Sequence, residues 1–176
     1  MHKLLKSGFN VDSAQHELEN HPECWRELTF RQDFEGSAHT DTETIYLRGP
    51  TEISPNAMIH STKAINYPII QRLPHCVELA TYIMQYMQPK EVGRIVIVNL
   101  KPHKSVSAHI DEGEYADYYK RYHVPIKTNS LVHHYSQNDY VIMQKGELWE
   151  YAHKLPHHTV NLSDSDRWNM IFDFRF

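Results

Sequence analysis

From Gly93 onward the chain is a succession of short β-prone runs, and that rhythm constrains its fold more than any other feature. The runs are RIVIVNL, YHVPIKT, SLVHHYS, DYVIMQK, ELWEYAH, HHTVNL and RWNMIFDFRF. They recur roughly every ten residues and are broken by Asn, Asp, Gly and Pro, the residues that turn a chain. Such spacing predicts an all-β sandwich or barrel. Upstream, LPHCVELATYIMQYMQPKE carries Leu79, Tyr82, Ile83 and Met87 as a helical stripe, and Pro89 ends the pattern. One amphipathic helix of about four turns, packed outside the strands, makes this a mainly β protein with flanking helices, a cupin-like jelly-roll barrel. TIYLRGP (44–50) alternates and reaches a Gly-Pro turn, so it reads as a further short strand. Residues 1 to about 44 are polar and weakly periodic, with CWRELTFRQDF the one stretch expected to be firmly anchored.

A chain of 176 residues is long enough for one core, and no linker, repeat or low-complexity tract divides it, so a single domain over 1–176 is expected. Its 18 basic and 22 acidic residues are spread along the chain, for a net charge of -4. That balance leaves no electrostatic footprint for nucleic acid or for an anionic membrane surface. No apolar stretch is long enough to span a bilayer, and the opening MHKLLKSGFN lacks the apolar core of a signal peptide. Two cysteines, Cys24 and Cys76, make no disulfide framework, which points to a reduced, cytoplasmic protein. The 14 histidines are an excess that favours a metal site.

SAHIDEG (107–113) supplies its first candidates. Side chains at i and i+2 of an extended chain share a face, so His109 and Asp111 converge. An HxD pair alone is more often a surface ion pair than a pair of ligands, and Arg167 alone more often a surface salt bridge. Their combination is more specific. In PHHTVNLSDSDRWNMIFDF, His158 stands at the head of a strand, NLSDSD makes the turn, and Arg167 opens the returning strand. Two histidines and one carboxylate on one face of a metal leave three positions open, the arrangement of non-haem Fe(II) oxygenases. Iron needs those positions to take a bidentate cosubstrate and O₂ together. A guanidinium at Arg167 suits the distal carboxylate of a 2-oxo diacid.

LKPHKSVSAHID, RYHVPIKTN, GELWE and HHTVNLSDSDRWNMIFDF together resemble the aspartyl/asparaginyl β-hydroxylase family of 2-oxoglutarate-dependent oxygenases, to which bacterial proline hydroxylases are related. IYLRGP (45–50) resembles an N-terminal element, so the likeness covers about two-thirds of the chain and is densest over 93–176. It implies a double-stranded β-helix carrying Fe(II) and 2-oxoglutarate, using O₂ to hydroxylate an unactivated C–H bond. The implied substrate is an amino acid, free or as a side chain of a peptide or protein. By the same resemblance, His109, Asp111 and His158 are the iron ligands and Arg167 binds the 2-oxoglutarate carboxylate. Arg121 and His123 fall where the family has Arg and His near the cosubstrate's inner carboxylate and the substrate's acid group. Being i and i+2 on one strand, both can face a cavity. Asn161 resembles the Asn of the closing motif and is expected to stabilise the hairpin. Two departures stand out. Asp111 occupies a position where animal members lack the acidic ligand, and His103 replaces the glycine that usually follows the proline.

Only one of His157 and His158 can look into a barrel, because strand neighbours face opposite ways. On the returning strand Trp168, Met170, Phe172 and Phe174 form an apolar face, so Arg167, Asn169, Ile171 and Asp173 are expected to look inward. The motif puts the ligand nine or ten residues before Arg167, and its ending favours His158, with His157 facing away. His133 and His134 likewise face opposite ways, and packing accounts for both. Trp149, Tyr118 and Tyr119 fit aromatic core or lid packing better than the wall of a substrate cleft, and DEGEYADYYKRYH reads as a lid or loop over the site. Two other functions compete. A cupin-type metalloenzyme without 2-oxoglutarate would explain the ligands but not Arg167. A non-catalytic jelly-roll binding protein with a structural metal would need closed coordination, and no further ligand stands at suitable spacing.

Overall fold

Each β-prone run after Gly93 becomes a strand in the computed structural model, which describes residues 1–33 and 35–176. Phe34, the last residue of CWRELTFRQDF, lies outside the described residues. Eleven strands are described: β1 (Lys3–Lys6), β2 (Thr42–Pro50), β3 (Ala64–Asn66), β4 (Glu91–Leu100), β5 (Ser105–His109), β6 (Lys120–Lys127), β7 (Val132–Ser136), β8 (Asp139–Val141), β9 (Leu148–Tyr151), β10 (His157–Asn161) and β11 (Arg167–Arg175). They form a seven-stranded sheet, ordered β1-β9-β6-β11-β4-β2-β3, and a four-stranded sheet, ordered β5-β10-β7-β8. From β4 to β11 the chain alternates between the two sheets except at the β7–β8 hairpin, which stays in the smaller one, and strands of both line one interior cavity. This is the double-stranded β-helix, or jelly-roll, expected from the strand rhythm.

β11 shows how the larger sheet serves two purposes. Trp168, Met170, Phe172 and Phe174 join the main apolar core, which also takes Leu18, Leu73, Leu79 and Ile83 from the helical side. Burying side chains of this size contributes roughly 1.5–3 kcal/mol each. The alternate residues Arg167, Ile171 and Asp173 face the cavities of the interior, as the alternation predicts.

Five α-helices are described: α1 (Asp12–Asn20), α2 (Phe30–Asp33), α3 (Pro55–His60), α4 (Pro74–Met87) and α5 (Glu114–Tyr118). α4 is the helix predicted from the Leu79–Ile83 stripe. It starts with Pro74 in its first turn and closes immediately before Pro89 through Gln88, whose left-handed φ of 51° lets its amide reach the Met84 carbonyl. Its first turn is capped from a distance. The buried Glu17 of α1 accepts from the amides of His75 and Cys76 at 3.0 and 2.8 Å, placing negative charge on the helix N-terminus.

The N-terminal stretch is more ordered than its weak periodicity suggests, since α1 buries Ala14 and Leu18 against α4 and β1 pairs with β9. Residues 111–123, expected as a lid or loop, hold a short helix, α5, and the first four residues of β6, and α5 packs on α3 at the rim of a large cleft. The turn joining β4 to β5 places His103 at φ 57°, the left-handed conformation that a glycine adopts without cost. No helix among the described residues is long and apolar enough to cross a membrane.

Candidate active site

β5 ends on His109, β10 begins on His157, and the antiparallel pairing sets these two residues directly opposite each other. Their ring centroids are 4.3 Å apart. Asp111 lies just past the end of β5, its amide bonded to the His153 carbonyl at 3.0 Å and its Oδ1 3.5 Å from His109 Nε2. One ligand atom from each of His109, Asp111 and His157 lies within 4.8 Å of the other two.

The two imidazoles are already oriented for a metal. His109 Nδ1 sits 2.7 Å from the Ser107 carbonyl, and His157 Nδ1 sits 2.8 Å from the Leu155 carbonyl. A carbonyl only accepts, so each Nδ1 carries the proton and each Nε2 keeps its lone pair. Burial pushes His157 down to about 4, with neighbouring His109 adding to the effect and Asp111 opposing it. The ring is therefore neutral near pH 7, the form that coordinates a cation. Burial works to raise the Asp111 carboxyl, but the Arg121 guanidinium beside it outweighs that and holds the group well below its usual value. Two imidazoles that hold a proton at Nδ1 and one carboxylate, open on one side, fit a divalent iron site.

His158 does not join this cluster, which corrects the expected ligand set. The buried residues of β10 are His157, Thr159 and Asn161. His158 lies on the other face, its ring stacked on Tyr135 at 4.2 Å and 4°. The inward face of β11 is as predicted, but counting back from Arg167 crosses the turn at 162–166, and a turn does not transmit strand parity. The signal within the sequence is Asn161, which shares a face with the residue four positions before it, His157.

Arg167 opens β11 on the inner face at 3% exposure. Among the described residues its Nε has no hydrogen-bond partner and no carboxylate lies within 4.0 Å. Burial pushes this guanidinium down to about 10. It borders a small cavity of about 40 Å³ with His109, His157, His123, Tyr151 and Thr159. His123 stacks on Tyr151 at 3.8 Å, meets Asn169 Nδ2 through Nδ1 at 2.8 Å, and leaves Nε2 buried and unpartnered. Burial, and then Arg167 close by, keep His123 well below its ordinary value, so it is neutral. An unpaired buried cation beside unsatisfied nitrogens is costly unless an anion completes it. The donor set fits a bound carboxylate.

Arg121 and His123 share the inner face of β6, as their spacing implies, but Arg121 is already engaged. It donates to Asp111, and its Nε and Nη2 reach the Asp173 carboxylate at 2.8 and 3.2 Å. Tyr115 Oη also donates to Asp173, at 2.8 Å. Of the remaining candidates, His134 is buried and packs edge-on against His123, whereas His133 stacks on Tyr140 on the other face of β7. Tyr118 and Tyr119 border a different depression, near the C-terminal residues.

Outside the ligand cluster opens a cleft of about 680 Å³, walled by α2 and the turn after it, α3, α5, and inner residues of β4, β6 and β11. Arg31, His39 and Arg94 line it, and the sequence reading singled out none of them. His39 meets the His109 ring edge-on at 5.2 Å. No periodicity marks residues 31–39, so only their three-dimensional return to the barrel mouth reveals them.

Against this geometry, a family model for aspartyl/asparaginyl β-hydroxylases matches residues 2–175. The chain belongs to that family. As a member of the aspartyl/asparaginyl β-hydroxylases it is an enzyme, a 2-oxoglutarate-dependent dioxygenase. Among solved structures, it is similar to a viral collagen prolyl hydroxylase from Paramecium Bursaria Chlorella virus-1, solved as a 2OG complex. The TM-score is 0.57 at 9% identity, covering 99% of this chain and 94% of that one. It is also similar to an oxidoreductase of the 2OG-Fe(II) oxygenase family from Burkholderia pseudomallei, with TM-score 0.53 at 8% identity, covering 76% of this chain and 67% of that one. At these identities the likeness is one of fold. No curated protein sequence matches.

Proposed function

We propose that this hydroxylase uses Fe(II), 2-oxoglutarate and O₂, with His109, Asp111 and His157 holding the iron and Arg167 the distal carboxylate of 2-oxoglutarate. The observation that carries the reading is the pairing of an open two-histidine, one-carboxylate cluster with a buried guanidinium that has no anion of its own. The metal and its cosubstrate would supply the oxidising power for C–H hydroxylation, with succinate and CO₂ as co-products. The chain's own contribution is positional. The Ser107 and Leu155 carbonyls set the two imidazole tautomers, and Arg121 fixes the Asp111 carboxylate. His123, held flat against Tyr151, presents Nε2 to the same small cavity as Arg167.

The substrate proposed is an amino-acid side chain within a peptide or protein, whose C–H bond reaches the iron through the cleft. Its volume of about 680 Å³ lies in the range, roughly 300–1,000 Å³, that holds ligands larger than one free amino acid. We take residues 1–176 as one oxygenase domain, working in the cytoplasm, where the free, buried Cys24 and Cys76 would stay reduced. A cupin-type metalloenzyme with no oxoacid would leave Arg167 buried without purpose.

The test is turnover. Purified protein supplied with Fe(II), 2-oxoglutarate and O₂ should release succinate slowly without substrate, and faster when a peptide substrate is found by a mass gain of one oxygen. Folded, iron-loaded protein that makes no succinate and shows no calorimetric binding of 2-oxoglutarate would remove the reading.

A further inference from the structure

Arg31 stands where the large cleft and the small cavity meet, since it lines both. It arrives on α2, which is fixed to the barrel by Gln32. That side chain donates to Thr42 and Thr44 Oγ1 at 3.1 and 2.9 Å. Ser37 Oγ donates to the Arg31 carbonyl at 2.7 Å and closes the following turn. The guanidinium is thus delivered to a set place rather than left on a free arm.

Its charge is not answered there. Among the described residues its side chain makes one hydrogen bond, Nη2 donating to His39 Nε2 at 3.0 Å, and no carboxylate lies within 4.0 Å. Asp111 and Asp173 are taken by Arg121. Arg94, the other cation of the cleft, spends Nη1 and Nη2 on the carbonyls of Met58 and Ala57, and its guanidinium stacks on Tyr115 at 3.6 Å. Arg94 therefore commits both terminal nitrogens to fixed backbone carbonyls and adds positive potential, while Arg31 has only one of its five donors engaged. Glu35 and Glu112 are at the rim, and neither pairs with Arg31.

We propose that Arg31 is the specificity-determining residue of the cleft, gripping the carboxylate of an acidic substrate group and selecting it over the corresponding carboxamide. The inference rests on the oxygenase reading for the location of the reacting centre, but not for the anion site itself. A guanidinium offers a planar fork that two carboxylate oxygens satisfy together, whereas a carboxamide presents one acceptor and one donor and leaves a guanidinium N–H facing an N–H. His39 acts on Arg31 as a positioning residue, because its Nε2 accepts from Nη2 and limits the direction in which the fork can point.

The carboxylate has two possible sources, a side chain or a chain terminus, and three probes separate them. N-acetyl-L-aspartate N-methylamide has only a side-chain carboxylate, N-acetyl-L-asparagine N-methylamide has none, and N-acetyl-L-alanine has only a terminal one. Each is titrated by calorimetry into protein loaded with Zn(II), as a redox-silent stand-in for iron, and 2-oxoglutarate. At least one carboxylate probe should bind roughly tenfold or more tightly than the carboxamide, and Arg31→Met should abolish that preference. Arg31→Lys, which keeps the charge but not the fork, should recover only part of it. Unchanged Zn(II) affinity and a wild-type circular dichroism spectrum in both variants show that they are folded. Equal or undetectable binding of carboxylate and carboxamide by the wild type, or a preference that survives Arg31→Met, overturns the inference. Wild-type protein that takes neither Zn(II) nor 2-oxoglutarate instead overturns the oxygenase reading, so the two failures are distinguishable.

Discussion

His157 and His109 are cross-strand partners in the smaller sheet, so the two imidazoles of the candidate metal centre meet as a consequence of strand register. Their separation of 4.3 Å is set by the β5–β10 pairing, and only Asp111 comes from beyond a strand end. Removing either ring should therefore abolish the site, whereas its sequence neighbour is dispensable. His157→Ala is expected to lower Fe(II) affinity by more than the roughly 10–100-fold seen when an outer hydrogen-bond partner of a metal ligand is lost. His158→Ala, which only unstacks a half-buried ring from Tyr135, should bind iron nearly as the wild type does. Anaerobic Fe(II) titration of the two variants decides it. Retention of iron by His157→Ala would refute the assignment.

Arg167→Leu separates cosubstrate from metal. The side chain touches no ligand residue through a hydrogen bond and has no protein anion to abandon, so iron affinity should hold. Loss of a buried, charge-assisted partner for the cosubstrate carboxylate costs roughly 2–5 kcal/mol, which corresponds to a rise of about 30-fold or more in the Kd for 2-oxoglutarate. Calorimetry with 2-oxoglutarate, beside an iron titration, measures both. A parallel fall in iron affinity would make Arg167 a structural residue.

Much of the fold was legible because the strands after Gly93 alternate cleanly between a packed and a lining face. β11 shows this best, with its aromatic row in the helical core and Arg167, Ile171 and Asp173 at the interior. His109 and Asp111 were legible for the same reason, since i and i+2 converge even where β5 ends between them. The choice between His157 and His158 was not, because the count from Arg167 crossed an irregular turn. Arg31 and His39 lay beyond any pattern reading. α2 is four residues long, its burial is partial, and what matters about it is its tertiary place against β2. β1 and α1 were missed likewise, because a short edge strand and a helix with three buried positions carry too few apolar residues to show a period.

Asn161 tests whether the hairpin beside the metal strand depends on one amide. Its Nδ2 donates to the carbonyls of Leu100, Lys101 and Ser165 at 3.2, 3.1 and 2.8 Å, and its Oδ1 accepts from Ser163 N and Oγ. It is fully buried and ties the β10–β11 turn to the end of β4. Asn161→Ala removes five hydrogen bonds at once, and although Lys104 N and Ser163 Oγ still serve the Lys101 and Ser165 carbonyls, each buried group left unsatisfied costs about 1–3 kcal/mol, so a loss of a few kcal/mol is expected. Urea unfolding should show a clearly lower midpoint. A midpoint within error of the wild type would mean that water or a local shift replaces the amide.

His2 gives a prediction with a definite sign in pH. It is buried with its ring stacked on Tyr151 at 4.0 Å, Nδ1 accepting from the Ala152 amide at 3.1 Å and Nε2 donating to the Tyr135 carbonyl at 3.2 Å. Burial pushes it down to about 4 from an ordinary 6.5, against the pull of the Tyr135 carbonyl. The folded protein therefore keeps this ring neutral while the unfolded chain protonates it below pH 6.5. Where the unfolded state binds more protons, stability rises with pH. The contribution is complete above about pH 6.5, is lost as pH falls toward 4, and levels off below that. A shift of this size corresponds to about 3 kcal/mol across the window. The buried His123 and His134, each held well below its ordinary value, act in the same direction. His2→Phe keeps the stacking and removes the titration. Its urea midpoint at pH 7 should drop for want of two hydrogen bonds, yet between pH 7 and 5 it should fall less steeply than that of the wild type. Metal-free protein, unfolded at several pH values in parallel, isolates the difference, and identical slopes would show that His2 is already charged in the folded state.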